Sequence, residues 1–161
     1  MAPLSLEPIA MDEDRARAVA RRVHAGDREE GGAPVLRHVA RVALRTPPEA
    51  RAVAWLHEAL ESATVTEQEL LGYGIDDDEL RALRLLSRPT SSRSVEVYLA
   101  HVELIACAAG RSGDLARMVK IADLEDRRLH PRVRIDGWSP PYELALRRLD
   151  EAGIRSSYEH A

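Results

Sequence analysis

The stretch WLHEALES, Trp55 to Ser62, places a histidine and two carboxylates in a run that is otherwise apolar on nearly every side. Ala52, Val53, Ala54, Trp55, Leu56, Ala59, Leu60 and Ala63 describe a helix buried among other helices, and His57, Glu58 and Glu61 interrupt it. Moving an ionised carboxylate into a protein interior costs roughly several kcal/mol even after relaxation, so a buried His-Glu pair requires a cation or hydrogen-bond donors beside it. A metal ion meets that requirement. Two residues elsewhere could join it. His38 lies in the middle of an apolar face, where taken alone it reads first as a hydrogen-bonded core residue. Asp123 extends the apolar face of a later helix, and its ordinary partner would be Lys120, three residues earlier. Together His38, His57, Glu58 and Asp123 offer two imidazoles and two carboxylates. That set suits a divalent first-row ion, Mn²⁺ first with Fe²⁺ or Zn²⁺ as alternatives, with positions left open for water and substrate; a closed structural zinc site fits poorly.

The elements that must position these groups are all helical. Residues up to about Pro8 read as an arm, after which Asp12, Glu13 and Asp14 favour a helix start, and Ala16, Val19, Ala20 and Val23 share one face until Gly26. Pro34 opens a second helix carrying Val35, Leu36, His38, Val39, Val42 and Ala43. Thr46, Pro47, Pro48 and Glu49 read as a capping box for the central helix, on which His57, Glu58, Glu61 and Ser62 would crowd one edge. Thr66 to Glu69 and Asp76 to Glu79 open two more, and Pro89 with its neighbouring serines forms a polar loop. A helix is expected from about Val95 to Ala109 with Gly110 as its cap and Cys107 as a core thiol, then another from Ser112 or Gly113 that carries Asp123. His101 has no partner pattern. Past Asp126 the chain is basic and irregular until Ser139 and Pro140 open a last helix, closed by Gly153. The expectation is therefore an all-α fold of about seven to eight helices: a short arm over 1–8, one helical domain over 9–153, and a frayed tail over 154–161 that includes His160.

Composition narrows the partners. At 161 residues the chain is long enough for one domain with its own core, and its 45% hydrophobic content is that of a globular protein. Net charge is −4 and Lys120 is the only lysine, so no general basic surface for DNA or RNA is implied, whereas a local arginine-rich pocket for a phosphorylated small molecule is compatible. The single cysteine excludes an internal disulfide framework and a multi-cysteine zinc site. No apolar run has transmembrane length and no signal-peptide order opens the chain, so the expectation is a cytoplasmic protein without a membrane partner.

The order of these motifs resembles a known family. HAGDREEGGAPVLRH from His24, then RVA, WLHEALES, TVTEQEL and VKIADLEDR resemble the HD superfamily of metal-dependent phosphohydrolases, over about Ala16 to Asp150. Within it the likeness is greatest to the hydrolase domain of the RelA/SpoT group and to its small stand-alone relatives, the guanosine-3′,5′-bis(diphosphate) 3′-pyrophosphohydrolases. The resemblance implies an HD-type helical bundle with a metal held by His38 in PVLRH, His57 and Glu58 in place of the His-Asp pair, and Asp123 in VKIAD. It puts Glu61 and Ser62 where the family orients or activates the attacking water. It also implies substrate contacts from Arg28, Lys120, Arg127 and Tyr142.

Several positions depart from the family pattern. Glu58 stands for Asp, Ser62 for Asp, Glu29 for Arg and Arg127 for Asn. Ser62 leaves Glu61 as the one obvious group to accept a proton from water. The expected activity is hydrolysis of a phosphate or pyrophosphate ester of a nucleotide, most simply a guanosine 3′-pyrophosphate. Two other readings stand beside it: a degenerate domain that binds a nucleotide or partner without turnover, and an HD-type 5′-nucleotidase.

Overall fold

The computed structural model describes residues 9–62, 64–88 and 93–159, with side chains described through 153. The proposed arm over 1–8, the loop at Pro89 and His160 lie outside the described residues. The described residues form eight α-helices: α1 Glu13–Val23, α2 Val35–Arg45, α3 Arg51–Leu56, α4 Glu67–Gly72, α5 Asp77–Leu86, α6 Val95–Cys107, α7 Gly110–Leu129 and α8 Tyr142–Glu159. Short 3₁₀ turns at Pro48–Ala50 and Ala59–Glu61 flank α3. Among the described residues there is no strand, only an isolated bridge between Arg28 and Pro34. None of these helices is long and apolar enough to cross a membrane.

The core follows from the apolar stripes. α7 is the axis: it packs against α2, α3, α5, α6 and α8, while α1 closes on α3. Leu56, Leu83, Val119 and Leu124 meet at the centre, and Ala16, Ala20, Ala43, Ala54, Ala116 and Ala122 are buried between the helices. Small side chains at these crossings let the backbones approach closely, so a chain without phenylalanine still closes its interior.

Local chemistry explains the ends of the helices. Thr66 and Asp76 each form a capping box, with Glu69 and Glu79 returning to the cap N–H groups. Thr46 does not. Its hydroxyl donates to Val42 O at 2.7 Å and so finishes α2, and Pro47 leads into a 3₁₀ turn before α3. α6 stops at Cys107 with Ala108 as its cap, and Gly110, expected to close that helix, instead opens α7 with a positive φ of 71°. Cys107 is exposed rather than a core thiol, its Sγ directed to Glu103 Oε1 at 3.3 Å, because α6 turns that position away from α7. Gly153 does not end α8, which continues to Glu159 across the segment expected to fray.

Gly74 carries a close approach. Its φ is +100°, Met11 N donates to its carbonyl at 2.9 Å, and a Cβ there would stand 2.0 Å from Ile9 O. Gly74→Ala is expected to destabilise the fold by about 1–3 kcal/mol from backbone strain alone. For a chain of this size that lowers Tm by roughly 2–4 °C per kcal/mol, and a thermal melt checks it.

Candidate metal centre

Three elements converge on one point. α2 brings His38, the end of α3 brings His57 and Glu58, and α7 brings Asp123. The central helix was expected to run through Ser62, but α3 ends at Leu56: Glu58 lies near φ −99°, ψ −2°, in the sparsely populated bridge region between helix and strand. The i, i+4 edge expected for His57 and Glu61 therefore does not exist as a helix edge. The break has a use. His57 Nδ1 lies 2.6 Å from Ala54 O, a carbonyl at the last turn, so the ring donates there and its Nε2 faces inward.

His38 is fixed the same way by a different partner. Its Nδ1 lies 2.7 Å from Asp126 Oδ2, and Asp126, wholly buried, also accepts from Arg41 Nε at 2.7 Å and Nη2 at 3.0 Å. A histidine that donates through Nδ1 to a carboxylate presents the Nε2 lone pair, the arrangement that orients imidazoles on metals. Both Nε2 atoms are buried and make no hydrogen bond. His38 Nε2 stands 3.0 Å from Asp123 Oδ1 and 3.5 Å from Glu58 Oε1; His57 Nε2 stands 3.8 Å from each of the same two oxygens. His38, His57 and Glu58 offer ligand atoms all within 4.8 Å of one another, a buried group that can hold a metal ion. Two orphaned imidazole nitrogens facing two carboxylates are the donor set that a divalent first-row ion takes.

Electrostatics agree with the geometry. Burial pushes the His57 imidazole below its ordinary pKa, so it stays neutral. Burial also acts downward on His38, but the Asp123 and Asp126 carboxylates outweigh it and hold His38 above the ordinary value. A proton and a cation thus compete for the same place, and metal affinity should rise with pH. For Asp123 desolvation acts upward, but Lys120, 2.9 Å away, and the two imidazoles hold its carboxyl well below the usual carboxylate range.

The centre opens into a cleft lined by His57, Glu58, Glu61, Arg88, Lys120 and Asp123, with Arg127, Arg132, Arg134, Tyr98 and Tyr142 around it. Lys120, Arg127 and Tyr142, the residues the resemblance implies as substrate contacts, line this cleft. Arg28 does not reach this cleft. Its guanidinium donates to Gly32 O at 2.8 Å, and it lines an adjoining cavity with Glu29, Glu30, Arg132 and Arg134. Glu61 is on the cleft rim, accepting from Arg88 N at 3.1 Å, and the protein around its carboxyl raises its pKa, chiefly by desolvation. Ser62 turns away, its hydroxyl donating to Ala59 O at 3.0 Å and lying 2.7 Å from the Thr64 hydroxyl, so it is not placed to act on water in the cleft. His101 sits apart, with Nε2 2.7 Å from Leu85 O.

Two residues, Asp126 and Arg132, were missed by sequence reasoning, and so was the pairing of Glu29 with Arg127. Asp126 follows Asp123 by three residues, and that spacing on a helix was the available signal. Arg132, in the irregular segment after α7, donates to Glu58 Oε1 at 2.8 Å. Glu29 and Arg127, each a departure from the resembled pattern, form one ion pair at 2.7 Å. Removing the charge of Asp126 by Asp126→Asn is expected to lower Mn²⁺ affinity by roughly 10- to 100-fold, as for other groups that orient a ligating histidine. Titration of the purified variant with Mn²⁺ checks it.

No family model matches this chain, and no curated protein matches it either.

Proposed function

We propose that this chain is a divalent-metal-dependent phosphohydrolase acting on a phosphorylated nucleotide, with Mn²⁺ as the preferred ion and a guanosine 3′-pyrophosphate as the first substrate to test. The observation that carries the reading is the pair of inward Nε2 atoms. Each imidazole is anchored through Nδ1, one on Asp126 and one on Ala54 O, and both face Glu58 and Asp123 at the floor of a basic cleft. The HD-like order of PVLRH, WLHEALES and VKIAD supports the same chemistry.

When bound, the ion would polarise a phosphoryl oxygen and make water more acidic. The chain's own residues supply the rest. Glu61, on the rim and raised in pKa by desolvation, accepts the proton of the attacking water. Lys120, Arg127 and Arg132 neutralise phosphate charge in a partly dehydrated setting, where charge-assisted hydrogen bonds are strong. Tyr142, on the first turn of α8, lines the cleft and supplies a hydroxyl for a substrate contact.

One specific observation favours a second reading, a module that binds a nucleotide without turning it over: Ser62 is directed away and Glu58 is already paired with two arginines. Metal analysis of the purified protein, followed by a Mn²⁺-supplemented assay over guanosine polyphosphates, nucleoside monophosphates and dinucleotides, separates the two. Bound metal with release of phosphate or pyrophosphate supports the hydrolase, and release from nucleoside monophosphates alone would make it a 5′-nucleotidase. A metal-free protein whose Tm rises with a guanine nucleotide but which releases nothing leaves only the binding module.

A further inference from the structure

The charges around the centre are already balanced before any ion arrives. Glu58 accepts from Arg132 at 2.8 Å and lies 3.3 Å from Arg127. Glu29 meets Arg127 at 2.7 Å and Arg132 at 3.3 Å. Asp123 meets Lys120 at 2.9 Å, and Asp126 meets Arg41 at 2.7 Å. Four carboxylates thus face four cations; of the remaining groups lining the cleft, Glu61 forms no ion pair among the described residues and shares the cleft with the Arg88 guanidinium, and Arg134 is set against Asp136 at 3.8 Å, so the two signs stay matched. Adding a divalent cation to a balanced, largely buried cluster leaves excess positive charge in low dielectric, which is costly without an anion.

Arg132 is the member able to respond. Arg127 is buried and braced by Glu29, whereas the Arg132 side chain is 35% exposed and lines both the metal-side cleft and the adjoining cavity. Its Nη2 rests on Glu58 Oε1, the oxygen that also faces both imidazoles. A cation held through that oxygen competes with Arg132 for it, and the released guanidinium is then free to bind an oxyanion bidentately.

We infer that the site takes a divalent cation and a phosphate-class oxyanion as a pair, each tightening the other, with Arg132 as the anion-binding residue that couples them. This rests on the metal-dependent reading proposed above. Linkage requires the coupling to be reciprocal.

The test titrates Mn²⁺ into the full chain with and without saturating inorganic phosphate, reading free aqueous Mn²⁺ by electron paramagnetic resonance and correcting for Mn²⁺ complexed by phosphate in solution. Wild type is expected to bind Mn²⁺ at least about tenfold more tightly with phosphate. Arg132→Ala is expected to bind Mn²⁺ alone more tightly than wild type, since Glu58 loses its competitor, while the phosphate effect shrinks to less than about threefold. A residue with a merely structural role would weaken Mn²⁺ binding under both conditions, and that result overturns the assignment of Arg132. Equal wild-type affinity with and without phosphate overturns the coupling but leaves the metal site standing. No bound Mn²⁺ under either condition overturns both. Should Arg132→Ala not fold, Arg132→Gln is read in the same way, and on wild type phosphate is expected to bind about tenfold more tightly with Mn²⁺ than without it, so that no such gain refutes the pairing.

Discussion

On the proposed reading, His57→Ala is expected to abolish stoichiometric Mn²⁺ binding and with it the proposed phosphohydrolase turnover. The ring supplies one of the two imidazole Nε2 atoms at the centre, and no other histidine among the described residues stands there to replace it: His101 is engaged with Leu85 O, His24 lies beside Asp27 at the end of α1, and His130 is exposed just past α7 with Nδ1 3.3 Å from Asp126 Oδ1, the other oxygen of the carboxylate that anchors His38. Losing a group that merely orients a ligand costs roughly 10- to 100-fold in affinity, so losing the ligand itself should exceed the upper end of that range. The variant also leaves Ala54 O without its side-chain donor, at a cost of roughly 1–3 kcal/mol. Two measurements keep these effects apart. The metal-free Tm should fall modestly, while the rise in Tm that Mn²⁺ produces in wild type should vanish. His57→Ala protein that still binds one Mn²⁺ with wild-type affinity would show that the ion sits elsewhere and would remove the basis of the proposed function.

The four ligand candidates were legible because each is a polar residue on an apolar helix face, and such a residue has to find a partner inside. Residue type and helical period marked His38, His57, Glu58 and Asp123, and the likeness of their order to the HD pattern weighed against the ordinary readings of His38 as a core histidine and Asp123 as the partner of Lys120. Their meeting depends on α2, α3 and α7 packing together, and the burial of Val39, Val53 and Val119 on the same faces was the hint of that. The groups that were not legible act across helices or from irregular backbone. Asp126 resembles any other acid in LEDRR until α2 places His38 and Arg41 against it. Arg132 lies where no periodicity operates. The break in α3 was hidden for a related reason: the apolar residues from Ala52 to Leu60 are consistent with a continuous helix, and Leu56 and Ala59, on either side of the break, are both fully buried, so the apolar pattern does not mark it. Glu29 and Arg127 show how single positions mislead. Read separately they are two disturbances of a nucleotide pocket, yet in space they are one buried ion pair in which each charge cancels the other, where the resembled Arg and Asn would carry one net positive charge.

Glu61→Gln is expected to lower kcat by roughly 10²- to 10⁴-fold, the span associated with positioned acid-base groups, with Mn²⁺ content and KM close to wild type. The isosteric amide can still accept from Arg88 N, so the rim keeps its shape while the proton acceptor is lost. The pH profile gives the sharper discrimination. Glu61 works as a base only when ionised, and desolvation raises its pKa, so activity should fall with decreasing pH at a higher pH than an ordinary glutamate would cause. His38 adds a second acidic limb with the same sign, because its own pKa is raised and its proton excludes the cation. The two limbs separate by mass action: raising Mn²⁺ moves the His38 limb to lower pH and leaves the Glu61 limb in place. In Glu61→Gln the Mn²⁺-independent limb should disappear and the Mn²⁺-dependent one persist. If the variant keeps wild-type kcat, or keeps both limbs, Glu61 is not the base, and the water must lose its proton without help from the only carboxylate on the cleft rim that is free of an ion pair.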